Sequence, residues 1–365
     1  MLENGKISRF QLWLLLINFL IGSAIIFIPS SIISTSKQDA WLSMLLLIFI
    51  GSFFIVLVST LSKLHFGKTI VAINTEVFGK IIGLVVNIFY VWFFILLSAI
   101  LLREIADIMK VITLNDTPLL VINVLVSILV FYAAFYGLEV YARANEIFSL
   151  VAFIGFLLTI LLVTPIMEIE RLKPIFDEGF KTIIKGMIPA IGFTYGEMAV
   201  FFMVIPFVNN KKHLTKILLS SGLIAGLSLL LIVVTSILVL DVPESGASIF
   251  APITLARLIR VGDFLSRVEI IFYFTFFSTL YIKLCLTFYA GVLAVSEVFK
   301  LSFYRPVIIP MLIIVISLSL LITDSIIEFL DFSSNSWLPF TLISSFVIPI
   351  ILLILTLIKK KKTSS

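Results

Sequence analysis

Residues 186–210 read GMIPAIGFTYGEMAVFFMVIPFVNN, and Glu197 is the one charged residue among them. The stretch is long enough to cross a bilayer, which takes roughly 20 apolar residues. A carboxylate at mid-bilayer depth costs about 3 kcal/mol on the mildest scale, so it persists where a partner, a proton or a ligand offsets that cost. Pro189, Gly192, Gly196 and Pro206 lie around it and weaken the helix where the charge sits. An ionisable group at the break of a membrane helix points to a site for a small polar solute.

The rest of the 365-residue chain is also membrane sequence. Hydrophobic residues make up 61% and charged residues 13%, and mean hydropathy is +1.23, far from a soluble domain. Apolar segments at 10–36, 40–62, 81–102, 117–138, 147–167, 186–210, 217–240, 270–296, 306–323 and 332–358 predict an all-α membrane protein with ten transmembrane helices. Residues 1–365 then form a single integral membrane domain. The first apolar run is too long for a signal peptide and has no small-residue cleavage site after it. Cys285 is the one cysteine, which excludes an internal disulfide. His65 and His213 read as surface residues of polar loops. Two distant histidines and one cysteine make no metal cluster. With no phosphate loop, cofactor motif or nucleophile–base arrangement either, the sequence does not read as an enzyme.

Charge sets the orientation. The face holding both termini and loops 63–80, 139–146, 211–216 and 297–305 carries 15 Lys and Arg against 10 on the opposite face, while Asp and Glu run 5 against 15. The basic face is therefore expected in the cytoplasm. Lys359–Lys362 read as an anchor at the membrane surface, and the net charge of +5 reflects orientation, not nucleic-acid binding.

Ten spans divide into five and five, at 10–167 and 186–358. Five is odd, so the second half enters from the opposite side and the halves are inverted. Span one contains Asn18, then Gly22-Ser23-Ala24, then Pro29. Span six has the same plan, with small residues mid-span and a later proline. Two discontinuous helices facing a central site are expected, with Gly22 where span one unwinds. Gly192-x-x-x-Gly196 can also be read as a helix-packing motif, but packing does not account for Glu197. For the same spacing at Gly79/Gly83 and Gly222/Gly226, packing is the preferred reading.

Lys283 is the second charge inside a span. Thr275, Thr279, Lys283 and Thr287 lie four apart on one helix face. A polar stripe with a central cation must face protein or water. It fits a structural ion pair with Glu197, a fixed positive charge where related transporters hold sodium, or both. Span three has a milder stripe of Asn87, Tyr90, Phe94 and Ser98, in which Phe94 reads first as packing.

The stretches GSAIIFIP at 22–29, FTYGEMAVFFMVIPFVNNKK at 193–212, ARLIRVGDFLSRVEIIFYFTFFSTLYIKLCLTFYAG at 256–291 and YRPVIIP at 304–310 carry a resemblance over nearly the whole chain. It resembles the B subunit of spore germinant receptors, in the amino acid–polyamine–organocation superfamily. The resemblance implies a LeuT-type 5+5 inverted repeat with helices one and six broken. It places a ligand site at Gly22, Ser23, Ala24, Thr194, Tyr195, Gly196 and Glu197. Asn18, Phe94, Ser98 and Thr279 are further candidates from the polar stripes. It also implies a nutrient sensor of the endospore inner membrane that binds a small germinant, an amino acid above all, and works with A and C subunits. A proton-coupled amino acid permease would need the same pocket. Phe193 and Tyr195 suit a small or apolar amino acid. The outer segment 241–269 reads either as an interfacial helix over the site or as a solvated face carrying Asp241, Glu244, Arg257, Arg260 and Asp263.

Overall fold

The structure, a computed structural model, describes residues 5–177, 179–210, 212–259, 269–323 and 325–364. Helix α1 (Arg9–Ile21) opens on a capping box in which Ser8 and Gln11 satisfy each other's amides. It stops at Gly22, and α2 (Ala24–Ser36) continues the first span. A tight turn at Lys37–Asp39 leads into α3 (Ala40–Leu64). Helix α4 (Ile70–Phe78) lies on the basic face. Gly79, at φ 82°, turns the chain into α5 (Lys80–Ile112), a backbone angle that suits glycine. Helices α6 (Leu119–Tyr136) and α7 (Leu138–Val163) complete the first five spans.

The sixth span is in pieces: α8 (Gly179–Phe193), a 3-10 turn over Tyr195–Val200, and the short α9 (Phe201–Val204). Helix α10 (Leu214–Ala247) bends sharply at Asp241, whose φ is 66°, and the brief α11 (Ala251–Arg257) follows. Then come α12 (Glu269–Val298) and α13 (Arg305–Leu321). The last span joins α14 (Ile326–Phe332), α15 (Leu338–Leu342) and α16 (Ile348–Ser364) through two π-helical stretches, Ser333–Trp337 and Ile343–Val347.

Burial decides which spans form the centre. In the apolar window of the sixth span 83% of residues are buried, against 28% around α7 and 33% in α6. The outer helices instead expose Phe49, Phe53, Ile81, Ile147 and Leu161, as a lipid-facing surface requires. On the basic face the N-terminal segment is tied under the sixth span: Ile7 N–H donates to Phe207 C=O at 3.0 Å and Asn209 N–H to Ile7 C=O at 2.9 Å.

Three sequence expectations change. The third span was expected over 81–102, but α5 runs on to Ile112. Arg103, Glu104 and Asp107 are therefore buried helix residues, not part of a loop. Residues 139–146 are likewise the first turns of α7. His65 is buried, not a surface residue: it bonds Glu76 at 3.0 Å and Thr356 at 2.8 Å. Lys68 completes this group at 2.8 Å from Glu76. The hydrogen bond from Lys68, with that from His65, holds the Glu76 carboxyl below the usual carboxylate range. His213 is exposed as expected.

The outer segment combines both of its readings. Helix α11 turns buried Ile253, Leu255 and Ala256 inward, while Glu244 and Arg257 are exposed. Arg260 and Asp263 lie outside the described residues. The orientation can be tested with single cysteines in a Cys285→Ser background. An impermeant thiol reagent should label Glu170→Cys in intact cells, and His213→Cys only after permeabilisation. Labelling of both from outside would break the ten-span arrangement.

Candidate functional site

The two helix breaks meet Lys283. Span one opens at Gly22 and Ser23, between the end of α1 and the start of α2. Span six opens at Thr194, whose φ and ψ of −105° and −89° leave the helical range. The Lys283 ammonium donates to Ser23 Oγ at 2.9 Å and to the Phe193 carbonyl at 3.0 Å, an acceptor freed where α8 ends. Its Nζ stands 2.6 Å from Glu197 Oε2. That contact is an ion pair out of line for a hydrogen bond, since Oε2 has no aligned donor. Trp337 Nε1 donates to the other oxygen at 3.0 Å. The ammonium also lies 5.3 Å from the centre of the Phe19 ring, a cation–π distance. Lys283 is 0% exposed and Glu197 1%.

A third ionisable group belongs to this cluster. Glu104 of α5 is 1% exposed, and neither of its oxygens has an aligned hydrogen-bond partner among the described residues. Its carboxyl feels Lys283, Glu197, Asp107 and the Ser23 hydroxyl. The neighbouring cation Arg103 is engaged elsewhere. It pairs with Asp107 at 2.8 Å and donates to the Ser319 and Thr323 carbonyls of the α13 end at 3.2 and 2.6 Å. The cluster thus sets two carboxyls against one ammonium.

The other expected residues divide around this centre. Ser23, Thr194 and Glu197 are at it, and Ala24 opens α2 beside it. The amides of Ala24 and Ile25 precede the first bond of α2, from Ile26 N–H to Ser23 C=O, so they are helix-start donors facing the break. Gly22 is needed for space: a Cβ there would stand 2.6 Å from Lys283 Cδ. Tyr195 turns away. Its ring enters a slot lined by Gly51, Gly222 and Gly226, and its hydroxyl donates to Gly222 C=O at 3.1 Å. Gly196 lets α15 approach, with Thr341 Oγ1 2.8 Å from the position of a Cβ. The small residues of span six therefore serve packing as well as the break.

Asn18 joins span one to span five, donating to Asn145 at 2.7 Å and Ser149 at 2.6 Å. The hydroxyls of Ser98 and Thr279 bond carbonyls of their own helices. Phe94 packs among Tyr90, Phe93 and Gly291.

Two aromatic groups close the centre. On the acidic side Phe27 contacts Phe193, Phe250 and Phe329 with ring centres 5.7, 5.7 and 5.8 Å apart. On the basic side Phe19 meets Phe201 edge-on at 5.2 Å. Below that, a cavity of about 490 Å³ opens between Lys68, Thr69, Phe207, Glu297 and Lys300.

A buried, charged site between two broken helices of a ten-span bundle is the arrangement of the LeuT fold. The solved structures bear this out. The chain is similar to MhsT in its complex with L-phenylalanine, with a TM-score of 0.72 and 16% identity over 97% of this chain and 99% of that one. Mhp1, a nucleobase-cation-symport-1 transporter in a closed conformation, aligns with a TM-score of 0.66 and 14% identity over 93% and 78%. With that fold, the chain belongs to the spore germination protein family, whose model matches residues 6–327. Relatives include spore germination protein KB of Bacillus subtilis (strain 168), 27% identical over 99% of this chain and 97% of the relative. Spore germination protein XB of Bacillus anthracis is 24% identical over 98% and 99%.

Proposed function

We propose that this chain is the membrane subunit of a nutrient-germinant receptor and binds an amino acid at the breaks of spans one and six. The observation that carries the reading is the ammonium cradle at the breaks. The Glu197 carboxylate, the freed Phe193 carbonyl and the Ser23 hydroxyl converge on one buried ammonium, that of Lys283, and these are the groups that a ligand amine needs. The helix-start amides at Ala24 and Ile25 would receive the ligand carboxylate. The likeness to MhsT, which holds L-phenylalanine, agrees with an amino acid ligand. The receptor would sit in the endospore inner membrane with both termini cytoplasmic, and would signal through A and C subunits.

Spores relying on this chain should respond to at least one L-amino acid and not to the matching 2-hydroxy acid, which keeps the carboxylate and lacks the amine. A screen of both series, scored by loss of optical density, checks this. Equal potency of the two series, or silence toward every amino acid, would end the reading.

A proton-coupled amino acid permease is the second reading, favoured by Glu104, since buried carboxyls in membrane spans serve as proton carriers. Uptake of the active amino acid by the purified chain in liposomes, driven by an imposed pH gradient, would select the permease.

A further inference from the structure

The back of span one faces a groove that the candidate site does not use. A cavity of about 600 Å³ runs along α1 between α7 and α10, walled by Phe10, Trp13, Ile17, Leu150 and Phe153, with Asn18, Ser149 and Thr279 also on its lining. Phe10, Leu150 and Phe153 are 58, 60 and 59% exposed, so the groove is continuous with the surface that the outer helices turn to lipid. The polar groups on its lining are already satisfied. Asn18 donates to Asn145 and Ser149, the Ser149 hydroxyl to the Asn145 carbonyl, and the Thr279 hydroxyl to the Phe276 carbonyl. What the groove offers is hydrocarbon surface, which suits an alkyl chain and not a polar solute. Its length fits as well. Between Phe10 and Ile21, both on the lining, α1 rises about 16 Å, and one leaflet fills about 15 Å of the hydrocarbon core.

The mouth of the groove is basic. A second cavity, of about 370 Å³, shares Phe10 and Trp13 with the first and is completed by Arg9, His213 and Ile217. Arg9 donates to the Lys212 carbonyl at 3.5 Å, and Lys216 lies in the first turn of α10. Arg9, Lys212, His213 and Lys216 are exposed, and among the described residues none of them is in an ion pair. Glu146 is the one acid on the groove lining. Trp13 donates from its indole to Ser220 at 3.1 Å, the placing of a tryptophan at headgroup level.

We propose that the groove binds an anionic phospholipid of the leaflet on the basic face, with one acyl chain along α1 between α7 and α10 and the phosphate on Arg9, Lys212, His213 and Lys216. The inference does not depend on the amine-ligand reading. Basic pockets between membrane helices attract anionic headgroups, and the apolar groove adds a seat for the chain that a free phosphate could not use. The site bears on span one from behind. Asn18 stands one turn before the break at Gly22, and Thr279 one turn before Lys283, so a seated chain packs against both elements that build the candidate site.

The test is native mass spectrometry of the full chain, purified in detergent with added dioleoyl phosphatidylglycerol or dioleoyl phosphatidylcholine. Wild type should retain the anionic lipid roughly tenfold better than the zwitterionic one. Arg9→Gln, Lys212→Gln and Lys216→Gln together should erase that preference. Ser228→Phe, which fills the groove from α10, should cut retention of phosphatidylglycerol by roughly fivefold or more. Equal retention of the two lipids by wild type, or a preference that survives the triple variant, would overturn the headgroup site. Unchanged retention in Ser228→Phe would mean that the basic cluster acts without the groove, and the seated chain would be refuted. Should a variant not accumulate, wild type with a phosphatidylglycerol photoreactive in its acyl chain decides the matter. Labelling of groove residues of α1, α7 or α10 is the expected result, and labelling confined to other helices refutes the site.

Discussion

Glu197→Gln is expected at normal abundance in the membrane and deaf to its nutrient. Glutamine keeps the shape of the side chain and can still accept from Trp337, whose indole reaches Glu197 Oε1 at 3.0 Å. Lys283 retains the Ser23 hydroxyl and the Phe193 carbonyl, so its ammonium is still hydrogen-bonded. What disappears is the negative charge that a ligand amine would need. Lys283→Met should behave differently. It leaves two carboxyls in the interior with no ammonium between them, and removing one partner of a buried pair costs about 3–5 kcal/mol. Its abundance should fall several-fold, and adding Glu197→Gln should restore part of it. Immunoblots of membrane fractions beside dose–response curves measure both effects. A Glu197→Gln chain at normal abundance with an unchanged dose–response would exclude both a structural and a ligand role.

Gly22→Leu should abolish the response while the protein still reaches the membrane. A Cβ at Gly22 would stand 2.6 Å from Lys283 Cδ and 3.1 Å from the Phe19 carbonyl. Neither atom yields easily, because the lysine is held at its tip and the carbonyl is backbone. Overpacking of this kind costs about 1–3 kcal/mol for a few added methylenes, so Gly22→Ala should already lose sensitivity. Gly22→Leu should lose roughly a hundredfold or more, equivalent to about 2.8 kcal/mol. Wild-type sensitivity in Gly22→Leu would remove span one from the site.

The architecture was largely legible because membrane sequence states it twice, in hydropathy and in charge. Glu197 and Lys283 stand out within apolar runs, and the glycines and prolines of spans one and six mark the breaks that the structure places at Gly22–Ser23 and Thr194. Glu104 was missed because it follows the apolar run at 81–102. Hydropathy ends where charges begin, but α5 continues for three more turns under the cover of its neighbours. Extending the stripe of Asn87, Tyr90, Phe94 and Ser98 by the helical period leads to Leu101 and then to Glu104–Ile105, a signal that was available. The Phe193 carbonyl is a backbone acceptor exposed by the break and has no signature in side-chain identity. Trp337 sits 140 residues from Glu197, and the π-helical stretch that ends on it sets its register. Tyr195 is adjacent to the site in sequence yet turns into its glycine slot, because neighbouring residues of a 3-10 turn point in different directions.

The aromatic groups at Phe27 and Phe19 have an electrical consequence. Between them, the described residues leave the charged centre without exposure to either face. An ion crossing such apolar layers would lose its hydration with nothing to replace it, a barrier far above thermal energy. Among the described residues the Lys283–Glu197 centre is therefore sealed between two caps of low dielectric. An ion passing through that centre would require both caps to part, so the packing of two groups of aromatic rings sets its electrical resistance.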